Sequence, residues 1–217
     1  MKYLLAASLF FLSAVSVDAF NPIITEVSRP YEVVTIKEDA GRIQEYLGEL
    51  EGSPVMYEIT SDEPFVLQAH VRQRYRAGTE PVEFSLIAIR QNERGGGVTE
   101  IQRQRPELAD WQRRKDSLLG LVLWESPGLS SAVEPGTYRV EISTPDNTGK
   151  YLLSFGTEPV RDGYFKTLTG IARTQQFFGF SFLRLLSSSY VYYPIGIILG
   201  LFVTQRVWSY RRLLSKK

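Results

Sequence analysis

Side chains able to do covalent or metal chemistry are scarce in this chain: there is no Cys, and His70 is the one His. A nucleophile-based hydrolase needs Ser or Cys with a placed base, and zinc needs a cluster of His, Cys or carboxylates. His70 sits inside the alternation Leu67, Ala69, Val71, which turns those three one way and His70 the other. Asp146-Asn147-Thr148-Gly149 carries calcium-type oxygens, but the same residue types build Asx-Gly turns without metal. Glu58, Glu83, Glu100, Glu107 and Glu125 are the carboxylates that glycoside hydrolysis would have to pair across a cleft. Gly95-Gly96-Gly97 lacks the Lys-Ser/Thr and the helix of a phosphate loop. The expectation is a noncatalytic protein with no cofactor and no metal.

Binding is better represented. Between Asn92 and Ser117 run six basic residues among five acids, and the stretch reads as a long loop, which in a compact domain is functional or mobile. Its charges nearly cancel, which excludes the one-signed patch that nucleic acid requires. Trp111 with Arg113 and Arg114 has the composition of a partner-binding anchor, set against the plainer reading in which Trp111 folds back over the core edge.

These residues need elements to hold them, and the charge pattern says where those elements lie. The 25 Lys and Arg nearly balance 24 Asp and Glu, yet all eight charges after Asp162 are basic. Between Phe20 and Asp162 there remain 16 basic and 23 acidic residues. An acidic body followed by a basic, aromatic-rich end is the pattern of a membrane protein with its body outside. Residues 1–19, Met1-Lys2 and an apolar run closing on Val17-Asp18-Ala19, read as a secretory signal peptide, with an uncleaved anchor helix as the alternative.

No charge interrupts the 21 residues between Arg184 and Arg206, about 32 Å as a helix, which matches a hydrocarbon core. Tyr190, Tyr192 and Tyr193 at one rim and Trp208 and Tyr210 at the other suit the headgroup level. A transmembrane helix over 189–208 with a cytoplasmic basic tail over 209–217 follows from the positive-inside rule. This makes a single-pass cell-membrane protein with its N-terminal domain extracytoplasmic. Gly196 and Gly200 form a GxxxG, a candidate helix-packing face through which a homodimer could form. Before the span, residues 163–188 read as one amphipathic helix. Lys166, Arg173 and Arg184 fall within about 20° on the wheel, opposite Leu168, Ile171, Phe178, Phe182 and Leu186, with Gln175 breaking the apolar face. Either the segment lies at the outer headgroups, cations toward lipid phosphate, or its apolar face packs on the β-domain or a partner subunit.

The body, residues 20–160, shows period-two runs: Val55, Tyr57, Ile59; Phe65, Leu67, Ala69, Val71; Tyr138, Val140, Ile142; Tyr151, Leu153, Phe155. Residues 31–36, 83–90 and 120–125 extend the set, whereas 37–51, charged and interrupted by Gly41 and Gly48, reads as a connection with a helical turn near Ile43–Leu47. The fold class expected is all-β: an antiparallel jelly-roll-like β-sandwich, then the amphipathic and transmembrane helices. About 140 residues bury a sizeable core without disulfides.

The pair Glu134-Pro-Gly-Thr-Tyr-Arg-Val-Glu-Ile-Ser143 and Gly149-Lys-Tyr-Leu-Leu-Ser-Phe-Gly156 resembles the closing hairpin of bacterial pre-peptidase C-terminal domains. Gly52-Ser-Pro-Val-Met-Tyr-Glu-Ile59, Phe65-Val-Leu-Gln-Ala69 and Phe84-Ser-Leu-Ile-Ala-Ile89 resemble that family's earlier strands, so the likeness covers about residues 51–157. The resemblance implies a noncatalytic β-sandwich of the kind appended to secreted proteins. This chain departs from the family in its 92–117 stretch, its own anchor and the lack of a protease partner. The leader, sandwich and span together also resemble bacterial envelope proteins. The functions expected are display of the sandwich outside the membrane to a protein or glycan partner in the envelope, or service as an accessory subunit of a membrane complex; membrane lipid is the other expected partner.

Overall fold

The structure is a computed structural model that describes residues 20–92 and 97–214, apart from Ser28 and Glu38. The expected leader, Gly95, Gly96 and the terminal lysines lie outside the described residues. The strands are β1 (Ile23–Ile24), β2 (Val33–Thr35), β3 (Gln44–Glu51), β4 (Val55–Ser61), β5 (Phe65–Arg74), β6 (Ser85–Gln91), β7 (Val98–Gln104), β8 (Gln112–Asp116), β9 (Leu121–Glu125), β10 (Leu129–Val133), β11 (Gly136–Ser143) and β12 (Thr148–Phe155). They form two sheets. One has the order β1-β3-β12-β5-β9-β8, with β10 also paired to β5; the other has the order β2-β4-β11-β6-β7. The long ladders are antiparallel, while the short β1 and β2 add in parallel to β3 and β4, so both sheets are mixed at one edge.

The alternating residues turn inward as their periodicity requires. Tyr57, Ile59, Leu67, Val71, Tyr138, Val140, Tyr151 and Phe155 are all buried between the sheets. The Tyr57 and Tyr151 hydroxyls share a hydrogen bond at 3.0 Å, and Tyr57 also donates to Thr25 Oγ1 at 3.1 Å, so these buried phenols keep partners. Burial pushes the Tyr57 hydroxyl up to about 12, well clear of neutral pH.

Three expectations change, and one strand is added. β11 and β12 are not a hairpin: β11 pairs with β4 and β6, whereas β12 pairs with β3 and β5 in the other sheet. Both present their alternating apolar residues to the same core, so the connecting turn must cross from one sheet to the other. Asp146 closes that turn, accepting from Thr148 Oγ1 at 2.6 Å and from Thr144 Oγ1 at 3.0 Å, bonds that hold its carboxyl below the usual range.

Residues 44–51 are no connection but the interior strand β3. Gly48, which reads as a breaker, is where the Tyr151 ring crosses: a Cβ there would lie 2.3 Å from the Tyr151 hydroxyl. The 92–117 stretch is not a loop either, since it holds β7, a 3-10 turn at Leu108–Asp110 and β8. These two strands lie at sheet edges, where burial imposes little alternation and charge protects the edge. β10 was missed because Ser130, Ser131 and Ala132 separate its two buried residues, Leu129 and Val133.

Helix α1 (Tyr164–Phe177) lies on the outer face of the larger sheet, followed by a 3-10 segment (Phe182–Ser187) and helix α2 (Ser189–Leu214). A second core forms there. Leu47, Leu152, Leu121 and Leu123 from the strands meet Phe20, Leu119, Ile171, Phe178 and Tyr190. This explains why β12 reads as a continuous buried run from Tyr151 to Phe155: it is covered on both faces.

Candidate functional site

Of the two readings of the juxtamembrane segment, packing on the β-domain is the one the structure shows. α1 buries Thr167, Gly170, Ile171, Thr174 and Gln175. Gly170 allows the chain to cross tightly, because a Cβ there would lie 2.2 Å from the Phe20 carbonyl oxygen. Gln175, the break in the apolar face, donates from Nε2 to the Leu119 carbonyl at 2.6 Å and so ties the helix to the loop before β9. The segment is not one helix to residue 188. Gly179 at φ +78° caps α1 with a left-handed residue, and the Phe180 amide donates back to the Gln175 carbonyl.

The three cations are placed individually. Lys166 Nζ pairs with Asp162 Oδ1 at 2.9 Å, and Arg173 Nη1 donates to the Pro22 carbonyl at 2.9 Å. Arg184 Nε donates to the Gly120 carbonyl at 3.2 Å, with its guanidinium 5.4 Å from the Phe180 ring centroid.

α2 begins inside the second core. Tyr190, in its first turn, is 7% exposed and stacks on Tyr164 of α1 with ring centroids 4.5 Å apart. Pro194 has no N–H for the carbonyl of Tyr190, four residues earlier, and the Tyr164 hydroxyl donates to that carbonyl instead at 3.0 Å. The Ser189 amide donates to the Ser117 carbonyl at 2.8 Å, and Ser188 Oγ to the Leu118 carbonyl. From Tyr192 onward the helix leaves the domain. Its stretch Ser189–Trp208 is long and apolar enough to cross a membrane, and from Ile195 to Trp208 it is exposed. Tyr192, Tyr193, Trp208 and Tyr210 are exposed, and a Cβ at Gly196 or Gly200 would meet nothing within 4 Å. The side chains of Arg211 and Arg212 lie outside the described residues.

Trp111 is 4% exposed and belongs to the core between the sheets, so it is not a surface anchor. The 3-10 turn at Leu108–Asp110 swings the chain back and drives the indole inward. Arg113 and Arg114 stay exposed on the edge strand β8. Arg113 stacks over Tyr75 at 4.6 Å, and Arg114 Nε lies 3.2 Å from Glu125 Oε2.

Of the five scattered carboxylates, Glu58 pairs with Arg139, Glu100 with Arg103, and Glu125 with Arg114. Glu83 and Glu107 come together on the rim of one open cleft of about 790 Å³, with Ser85, Arg105, Ser143 and Thr144. The spacing in sequence held no sign of this, since the cleft forms where the 3-10 turn meets the β11–β12 crossover.

A further cluster escaped the sequence reading. Arg72 on β5 bridges Glu45 on β3 and Asp116 on β8, the latter at 3.0 Å, and also donates to Ser154 on β12 at 3.1 Å. Burial raises the Glu45 carboxyl above its usual value despite the pull of Arg72. His70, on the same outer face, is pushed down to about 4 by burial first and by the Arg72 charge second. The cluster joins four strands through one guanidinium, and its groups are engaged with one another.

No family model matches this chain, and no curated protein matches it. Among solved structures, the pre-peptidase C-terminal domain of the collagenase from Bacillus anthracis aligns over 60% of this chain and 98% of that domain, at 14% identity and a TM-score of 0.37. The assignment as a β-sandwich rests on the two sheets themselves.

Proposed function

We propose that this chain is a noncatalytic single-span envelope protein that presents its β-sandwich outside the membrane to a protein or glycan partner, with its C-terminus in the cytoplasm. The observation that carries the reading is the joint: the first turn of the apolar helix is buried in the sandwich's second core, with Tyr190 stacked on Tyr164. A sandwich fixed to its anchor without a linker holds its exposed faces in constant orientation, which suits recognition. Two faces qualify: the β8 edge with Arg113 and Arg114, and the open cleft beside Glu83, Arg105 and Glu107.

Photocrosslinking residues at Arg114 and at Leu108 in intact cells should capture a recurrent partner; no adduct at either position sinks the recognition reading. Topology is tested separately with an impermeant thiol reagent. Ser130→Cys should label in intact cells and Ser215→Cys should not, and the reverse pattern inverts the orientation. A second reading, an accessory subunit of a membrane complex, is favoured by the open flank at Gly196 and Gly200. In mild detergent, Gly196→Leu and Gly200→Leu should strip co-purifying chains under that reading and change nothing for a lone display module.

A further inference from the structure

The 3-10 segment turns three large apolar side chains away from the domain. Phe182 is 71% exposed, Leu183 61% and Leu186 58%, while Leu185 between them packs into the second core. Leu183 and Leu186 are three apart and so lie on one ridge of a 3-10 turn. Phe165, beside Tyr164 at the head of α1, is 79% exposed. Apolar groups of this size, three on the segment that leads into the apolar helix and one beside the Tyr164 that stacks on its first turn, mark an interaction surface rather than ordinary scatter.

The occupant follows from chain geometry. Leu186 is three residues from Ser189, where the apolar helix begins, so at most about 10 Å of chain separates it from the head of that helix. Ser189–Trp208 is 20 residues long, about 30 Å as a helix, which leaves no spare length to lift its first turn above a hydrocarbon core of the same thickness. Tyr190 is locked in the domain, so the domain comes down to the headgroup layer with it. Arg184, exposed among these residues, has no carboxylate partner among the described residues and presents a cation at the level of lipid phosphate.

We propose that Phe182, Leu183 and Leu186, with Phe165, form a lipid-inserted wedge that seats the sandwich on the outer leaflet around the head of α2. The proposal rests on reading α2 as a membrane span. The wedge differs from the basic-stripe helix that the helical wheel suggests, because α1 spends its apolar face on the sheet and only the segment after Gly179 is left to meet lipid. Together with the joint at Tyr190 it gives the sandwich two attachments to the membrane and one tilt.

The test uses the full chain, which has no native Cys, in phosphatidylcholine–phosphatidylglycerol nanodiscs. Single Cys replacements at Phe182, Leu183, Leu186, Leu199 and Val98 are each labelled with an environment-sensitive fluorophore and challenged with lipids carrying a nitroxide near the headgroup or deep in the acyl chain. The wedge predicts loss of emission at 182, 183 and 186 with the shallow quencher, at 199 with the deep one, and at 98, on the opposite sheet, with neither. Quenching at 199 without quenching at 182, 183 and 186 overturns the wedge while leaving the span intact, the result expected if a partner protein covers this surface. No quenching at 199 overturns both, and quenching at 98 overturns the fixed seating.

Discussion

The Tyr164 hydroxyl reaches the Tyr190 carbonyl because Pro194 cannot, and that single substitution of donors joins the helix on the sheet to the helix that leaves it. Tyr164→Phe should therefore strand a partly buried carbonyl, costing about 1–3 kcal/mol. In a Pro194→Ala background the helix regains its own donor, so the same change should cost less. Urea melts of the four proteins measure the coupling, and a coupling of zero refutes the assignment. His70 offers a second residue-scale test. Its folded value of about 4 lies below the ordinary 6.5, so between those pH values the unfolded chain takes a proton that the fold refuses. Stability should fall as pH drops through this window, by on the order of 3 kcal/mol at most, and recover as pH rises past it. Glu45, raised by burial, acts in the opposite sense, so the difference between His70→Gln and the parent at pH 4.5 and pH 7 isolates the histidine. A difference independent of pH would show that His70 is solvated. The sequence showed which way His70 faces from its neighbours' alternation, but its burial depends on what covers the outer face of β5, where Ser154 of the distant strand β12 stands opposite it.

At the level of elements, the period-two signal located strands that are buried on one face and failed at the extremes. β12 still shows in Tyr151, Leu153 and Phe155 although it is covered on both faces, but β3, covered likewise and interrupted by Gly48, and β7 and β8, covered on little more than none, present no clean alternation. The amphipathic wheel of α1 was legible, whereas its target was not, because a leucine face on the outside of a sheet attracts the same residues that a bilayer would. Gly170→Ala tests that target. A Cβ 2.2 Å from the Phe20 carbonyl must push α1 off the sheet or displace the chain before β1, at a cost of about 1–3 kcal/mol. Amide exchange should accelerate across residues 164–177 with little change in β11. Unaltered protection of α1 would mean that the helix is not held there.

For the molecule as a whole, the charges divide into an acidic sandwich and a basic end, with an apolar helix running through the basic end between Arg184 and Arg206. An Arg in the middle of that helix should cost about 2.5–3.5 kcal/mol of insertion free energy. Leu199→Arg is accordingly expected to move the protein from the carbonate-resistant membrane fraction toward the soluble one; retention at parental levels would contradict a single span centred there. The sequence by itself determined the all-β character of the body, the apolar run of membrane length and the poverty of Cys and His, because each is a local or periodic property that a short window contains. Only the tertiary structure decided that β11 and β12 belong to opposite sheets, that Trp111 is core, and that α1 covers the sandwich and leaves Phe182, Leu183 and Leu186 outside. Those outcomes depend on which distant surfaces meet. Apolar surface gains about the same free energy from any apolar partner, so composition records that a face must be covered and not by what.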